Sequence, residues 1–293
     1  MTQHQPGLSV RSGEASQPTF LAERPRSAAY VVVGAYLRHL RHCRGRRLWE
    51  AARVLDCAIS KVSRMEGGSY MQEKDVLPLL RMYGLLDVEQ VMAVRHLLQS
   101  VGVSHHLGTD VGLGWEDRLA ACEQWAASER TYSAYRMPRL VQSAAYAEAL
   151  RRISPVLGDE SRLETPGTTG HSRRQVTVLL DELILERPLG GAAVMAEQCE
   201  HLQSVVEQGI AEVLVVPATV LVPCNYLSEL EIKGRLLSVR RGPQAVLYSS
   251  GPEAESLGQV LDRAYAAAYP PEHSLGRIRL ARQGFERTAG RTS

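Results

Sequence analysis

A dense group of basic side chains occupies residues 38–66 of this 293-residue chain. Eight arginines and lysines stand there against three acidic residues, although the formal charge of the whole chain is only +2. They are Arg38, Arg41, Arg44, Arg46, Arg47, Arg53, Lys61 and Arg64. Guanidinium and ammonium groups neutralise phosphates and can pair with the O6 and N7 atoms of guanine. This local excess of positive charge therefore indicates contact with nucleic acid.

Two short helices are predicted to position these charges. Apolar spacing predicts one helix over Leu48–Leu55 and another over Ile59–Glu66, with a turn of three residues at Asp56–Ala58 between them. Gly67 and Gly68 end the second helix. The residues of the second helix that we expect to pack inward are Ile59, Val62 and Met65.

Such a pair of helices is a helix-turn-helix unit, whose second helix reads base edges with its N-terminal residues. The outward residues that we predict to contact bases are Ser60, Lys61, Ser63 and Arg64. Arg46 and Arg47 precede the first helix and are placed to contact phosphates, which would fix register without reading sequence. The alternative interpretation is a helical bundle whose charges form a solvated face.

Three further helices complete an N-terminal bundle of five. The first follows one apolar stripe from Ala29 to Leu40, and the fourth and fifth fit Glu73–Tyr83 and Val88–Gln99. We assign residues 1–28 to a disordered tail, 29–100 to the helix-turn-helix domain, 101–114 to a linker and 115–293 to a C-terminal domain.

The C-terminal domain is predicted to mix helices and short strands. Its predicted helices are Trp115–Arg130, Val141–Arg152, Ala192–Gln208, Glu253–Ala268 and Leu275–Gln283, and an extended piece spans Thr131–Arg136. The predicted strands are Val176–Leu180, Val213–Val216 and Ala245–Tyr248. The fold class is therefore mainly α with a smaller α+β part.

Several other classes of function are not expected. The five cysteines form no C-x-x-C pair, which argues against a disulfide framework and a zinc site, and we predict no cofactor. Without a leader pattern or a long apolar run, the protein is expected to be cytoplasmic, with no membrane partner. Asp181 and Glu182 could act as paired carboxylates, but a helix cap and a salt-bridge partner fit them better. We therefore expect no enzyme activity, and no ligand-binding residues can be assigned.

The stretch Leu48–Gly68 resembles the helix-turn-helix of the Xre family, the phage Cro/repressor-like regulators. The residues that follow the family pattern are Ala52, Leu55, Cys57, Ser60, Val62, Ser63, Arg64, Glu66 and Gly68. Trp49 stands where the family often has a Gln that touches phosphate, and we include it among the predicted DNA contacts. Asp56 stands where the turn usually has Gly. The resemblance implies a lambda-repressor-like fold for the five-helix bundle.

The C-terminal half is similar to a domain of unknown function found in a large actinobacterial group of Xre regulators, which includes WhiJ-type and antitoxin-like proteins. The similarity lies in Arg139–Ala147, Val178–Glu182, Arg187–Gly191, Met195 and Gln198–Leu202. It weakens after Val216, where the family's usual Pro-Phe segment is missing.

The resemblance implies a sequence-specific transcriptional regulator that binds double-stranded DNA as a homodimer. It also implies that the C-terminal domain binds a small partner protein from an adjacent gene or a small-molecule effector. The alternative is an antitoxin-like protein that neutralises this partner, with DNA binding serving autoregulation.

Overall fold

The computed structural model describes residues 27–100, 106–153, 174–242 and 245–291. Of the predicted tail only Ser27 and Ala28 lie in these ranges, and residues 101–105 of the predicted linker lie outside them. The described residues begin with five helices, as predicted. They are α1 (Ala28–Cys43), α2 (Leu48–Val54), α3 (Ile59–Glu66), α4 (Glu73–Met82) and α5 (Val88–Ser100).

An α/β unit follows the helical bundle. Its helices are α6 (Trp115–Trp125), α7 (Ala144–Ile153), α8 (Ala192–Glu207), α9 (Gly251–Ala267) and α10 (Pro271–Ala289), with 3₁₀ turns at Arg139–Val141 and Glu182–Leu185. Its strands are β1 (Leu107–Asp110), β2 (Ser128–Ser133), β3 (Gln175–Asp181), β4 (Glu212–Val216), β5 (Tyr226–Ile232), β6 (Arg235–Arg241) and β7 (Val246–Ser249). The predicted fold class is confirmed.

The seven strands form one mixed sheet in the order β1-β7-β6-β5-β2-β3-β4. Strands β2, β3 and β4 run parallel to one another. The other pairs of neighbours, β1–β7, β7–β6, β6–β5 and β5–β2, are antiparallel. Alternation along β3 sends Val178 and Leu180 to one face and Leu179 to the other. Helix α9 covers the Leu179 face through Leu261 and Ala264. Strand β3 is therefore buried on both of its faces.

The opposite face of the sheet is covered by two groups of helices. Over β3 and β4, helices α8 and α10 contribute apolar side chains such as Met195 and Ile278 to a common core. Over β5, β6 and β7, the core includes Leu119 of α6 together with helix α1 and the rest of the N-terminal bundle. The N-terminal bundle thus shares one continuous core with the antiparallel half of the sheet.

Helix α1 is covered on all sides along most of its length. The sequence predicts a single apolar stripe, but Tyr30, Val31 and Ala35, which lie off that stripe, are buried as well. The side of α1 that lies off the predicted stripe packs on α6. There the Arg38 guanidinium lies 3.8 Å from the centre of the Trp125 ring, and His39 contacts Gln124. A helix that is apolar all round is a buried helix, and α1 fits that rule.

The structure corrects several predictions in the second half. Leu107–Asp110, within the predicted linker, is an edge strand that pairs with β7. Helix α6 ends at Trp125 rather than Arg130, because Ser128–Ser133 pairs with both β3 and β5. Strands β5 and β6 were not predicted, whereas the predicted strands at β3, β4 and β7 are confirmed within two residues.

Gly34 is the point of closest approach between α1 and α3. A Cβ atom at this position would lie 2.4 Å from the Met65 carbonyl oxygen and 2.9 Å from the Gly68 nitrogen. Both are backbone atoms and cannot rotate away. Gly68 is constrained in turn, since its φ is +76° and a Cβ atom there would lie 2.9 Å from Val31 Cα.

Gly34→Ala is expected to destabilise the protein by about 2 kcal/mol, because the overpacking of α1 against α3 outweighs the better helix propensity of Ala. Gly276→Ala, in α10 with no atom near the added methyl group, should instead be neutral or stabilise by up to about 1 kcal/mol. Urea denaturation of the full chain measures both values. Equal effects at the two positions would show that the α1–α3 contact is not tight.

Candidate nucleic-acid interface

Helices α2 and α3 form the predicted helix-turn-helix. Asp56 in the turn between them has φ of +48°, a left-handed conformation that Asp tolerates better than most residues. The Cys57 nitrogen donates to the Ala52 carbonyl, and the Leu55 nitrogen donates to Ala51, so the end of α2 is closed. The turn therefore keeps its geometry although Gly is replaced by Asp.

The second helix of this unit, α3, is anchored by its buried side. Val62 and Met65 are buried in the shared core, as predicted. Glu66 is also buried, and its two carboxylate oxygens accept hydrogen bonds from Nε and Nη2 of Arg41 at 2.6 and 2.8 Å. Arg41 Nη1 also donates to the Arg46 carbonyl oxygen at 2.9 Å. One buried guanidinium therefore connects α1, the end of α3 and the segment that enters α2.

The structure brings the predicted contact residues together on the helix-turn-helix. Ser60 and Arg64 are exposed, whereas Lys61 and Ser63 are half-buried. The remaining predicted contacts, Arg46, Arg47 and Trp49, are exposed at the start of α2. All seven side chains are at least partly accessible on helices α2 and α3 and the segment that precedes them.

Internal partners hold some of these side chains. Lys61 Nζ lies 2.8 Å from Asp75 Oδ1, and this hydrogen bond raises the pKa of Lys61. Arg46 pairs with Glu50 at 2.9 Å, and Glu50 also accepts from the Arg47 nitrogen at 2.7 Å. These contacts lower the pKa of Glu50, and the hydrogen bond from the Arg47 backbone nitrogen has the largest effect. Asp75 therefore holds the Lys61 ammonium group, which keeps further N–H donors for other partners.

The prediction that Ile59 packs inward is wrong. Ile59 is 50% exposed and stands outside the apolar core of the described residues, although Leu55 and Cys57 before it pack against that core. The reason is its place at the first position of α3, one turn ahead of Val62, where the body of the bundle no longer lies beneath the helix.

The N-terminus of α3 has no side-chain cap. Its N-cap residue is Ala58, which offers no side-chain oxygen to the first backbone N–H groups. In most helices Ser, Thr, Asp or Asn fills this place. The Lys61 nitrogen donates to the Ala58 carbonyl at 2.9 Å, but no side chain of the N-cap residue covers the start of α3, and phosphate oxygens suit the donors of an uncapped helix.

Two families match the chain in separate segments. A helix-turn-helix domain family matches residues 32–92, which contain α2 and α3. The family described as domain of unknown function, DUF5753, matches residues 117–280, more than half of the chain. The chain belongs to the DUF5753 family. No curated protein matches it.

The residues of the DUF5753 domain that carried the sequence resemblance hold its loops in place. The Gln198 side chain accepts from the Ser143 nitrogen at 2.7 Å and donates to the Val141 carbonyl at 2.7 Å. The Tyr146 hydroxyl accepts from the Met137 nitrogen at 3.1 Å, and Gln142 donates to the Met137 carbonyl at 2.7 Å. These contacts give the motif residues a structural role.

The paired carboxylates of the DUF5753 domain also have structural partners. Asp181 accepts from the Tyr132 hydroxyl at 2.9 Å and from the Leu183 nitrogen at 3.0 Å, so it caps the 3₁₀ turn. Glu182 accepts from the Ala218 nitrogen at 3.1 Å and pairs with Arg277. The cap and salt-bridge interpretation of this pair is confirmed. Within the described ranges, no group of His, Cys, Asp or Glu could hold a metal ion, and no helix could cross a membrane.

Sequence reasoning missed a contact between the DUF5753 domain and α3. The β5–β6 hairpin turns at Lys233 and Gly234, both with positive φ, and the Lys233 side chain lies against Gly67 at the end of α3. Arg235 donates to the Ser69 hydroxyl at 3.3 Å. Burial and the neighbouring Arg38 lower the pKa of Lys233. A two-residue turn ending in Gly, between two apolar stretches, was the available signal for this hairpin.

Glu66→Gln should destabilise the protein by about 3 kcal/mol, since it leaves the buried Arg41 charge without a counterion. Glu253→Gln is the matched control, because Glu253 forms an exposed pair with Arg240 at 3.7 Å, and it should cost less than about 1 kcal/mol. The double variant Arg41→Met, Glu66→Leu should recover much of the loss because no unpaired charge remains. Chemical denaturation tests all three. A Glu66→Gln variant as stable as the control would contradict the anchoring role of the pair.

Proposed function

We propose that this DUF5753-family protein is a sequence-specific transcriptional regulator that inserts α3 into the major groove of double-stranded DNA. The observation that supports this most directly is the division of α3 into two sides. Val62, Met65 and Glu66 fix the helix in the protein, while Ser60 in the first turn and Arg64 in the last turn are exposed on the opposite side. A recognition helix must have this division, because only a firmly held helix can compare one base edge with another.

Arg64 and Arg47 are assigned different tasks. Arg64 lies on the outer side of α3, where a guanidinium can pair with guanine O6 and N7. Arg47 stands before α2 and is assigned to a phosphate, with Arg46 beside it. Neither Arg64 nor Arg47 has an ion-pair partner among the described residues. Both side chains can therefore turn to DNA without breaking an internal salt bridge.

Arg64→Ala should weaken binding to the preferred site by about 1–3 kcal/mol and relax the preference at one base pair, because a base contact is lost. Arg47→Ala should weaken binding to all sequences alike and reduce the salt slope by about 1. Sites would be selected from random duplexes with the full chain, and affinity measured by fluorescence anisotropy at several salt concentrations. Arg279→Ala, an exposed arginine on α10, is the control and should change neither quantity. Unchanged binding in both α2–α3 variants would refute the assignment.

We also propose that the regulator acts as a homodimer in the cytoplasm. Two recognition helices related by a two-fold axis read two half-sites about 34–36 Å apart, one turn of DNA. The selected site should therefore be palindromic, and two chains should bind one duplex. Light scattering of the complex measures this stoichiometry. A single chain on a single half-site would contradict the dimer.

The other parts of the proposal rest on the sequence resemblance. They are a partner protein or small-molecule effector for the DUF5753 domain, and the WhiJ-type or antitoxin-like subgroup. The absence of a catalytic step is proposed separately, because a cap and a salt bridge account for Asp181 and Glu182. The antitoxin-like alternative can be separated by experiment. A Lys61→Ala, Arg64→Ala variant that no longer binds DNA should still co-purify with the product of the adjacent gene if neutralisation is the main role.

A further inference from the structure

Ile59 is a large apolar side chain at the position where a recognition helix first meets DNA. It is the first residue of α3, and it lies between Ala58 and Ser60, which are exposed as well. Half of its surface is accessible, although Val62 on the same side of the helix is fully buried. Ile59 is therefore exposed because it lies at the tip of α3, and its side chain contributes little to the protein core.

The neighbouring residues limit what this tip can contact. Ala58 leaves the helix uncapped, so no side chain of the N-cap residue covers the start of α3. Ser60 carries a short hydroxyl, and Lys61 is held by Asp75. At the first turn of α3, Ile59 is thus the longest side chain that is not tied to another residue of the described chain.

The chemistry of Ile59 restricts its partner on the base edges. An isoleucine side chain neither donates nor accepts a hydrogen bond. Against the donors and acceptors of guanine, cytosine or adenine it would displace water and leave those groups unpaired. The major groove offers one apolar group, the 5-methyl group of thymine. A β-branched side chain is also stiff, so it loses little rotamer freedom when it is packed against that methyl group.

We infer that Ile59 is a specificity-determining residue that reads the 5-methyl group of a thymine in each half-site. The inference rests on the proposed function, since it names the base that one residue of the recognition helix selects. It assigns sequence preference to an apolar contact, in addition to the hydrogen bonds assigned to Arg64. The selected half-site should accordingly contain a thymine next to the base pairs that Arg64 contacts.

Deoxyuridine provides the test, because it differs from thymidine in DNA only by the 5-methyl group. Each thymine of the selected site would be replaced singly by uracil, and the affinity of the full chain measured at fixed salt. At one thymine of each half-site, uracil should weaken binding by about fourfold, the effect of burying one methyl group. Ile59→Ala should bind the thymine site more weakly and should not distinguish uracil from thymine there. Ile59→Val should keep the discrimination.

Val88→Ala is the matched control, since Val88 is the first residue of α5 and is 74% exposed. It should leave affinity and uracil discrimination unchanged, and thermal unfolding should show that every variant is folded. If the chain binds a specific site but no uracil position weakens binding, or if discrimination persists in Ile59→Ala, the inference is overturned and the proposed function stands. If no specific DNA is bound, the proposed function itself fails.

Discussion

The close contact of α1 with α3 at Gly34 determines how the rest of the molecule can be arranged. Only a glycine lets the backbone of α1 approach the carbonyl of Met65 and the nitrogen of Gly68. Because α1 lies so near the end of the recognition helix, Arg41 can reach the buried Glu66 carboxylate with two hydrogen bonds. The opposite side of α1 then remains apolar and requires its own cover, which α6 provides.

This arrangement makes the DUF5753 domain part of the environment of the recognition helix. The apolar core runs from α3 through α1 to α6 and the strands β5, β6 and β7. The hairpin turn at Lys233 touches the end of α3 from a second direction. Cores are close-packed and do not deform continuously. Because α1 packs closely against both α3 and this half of the sheet, the position of the helix that carries Ser60 and Arg64 depends on packing against the DUF5753 domain.

Local periodicity was sufficient to predict the helix-turn-helix and insufficient for what surrounds it. The bounds of α2 and α3 follow from apolar spacing and from Gly67 and Gly68. These signals lie within or directly beside the helices that they define. The full burial of α1 depends on α6, more than seventy residues later, so its second apolar side had no visible partner in the sequence. Strand β5 does show the alternation of a half-buried strand, since Glu229 and Glu231 are partly accessible while Leu230 and Ile232 are buried, so the signal for it was present and was missed. In β6 the adjacent apolar residues Leu236 and Leu237 interrupt the alternation. Ile59 was misassigned because periodicity indicates which side of a helix a residue occupies, but does not indicate where the neighbouring helices end.

The positive charge of residues 38–66 must be interpreted together with the contacts that its side chains make inside the protein. Five of the eight basic side chains of residues 38–66 are engaged within the protein: Arg38 with the Trp125 ring, Arg41 with Glu66, Arg44 with the Tyr83 carbonyl, Arg46 with Glu50 and Lys61 with Asp75. Arg47, Arg53 and Arg64 have no ion-pair partner in the described ranges. The salt dependence of DNA binding follows the number of phosphates neutralised, not the number of basic residues in the sequence. Phosphate contacts carry no sequence information, so in the proposed complex the discrimination between sites falls to the few side chains on the outer side of α3.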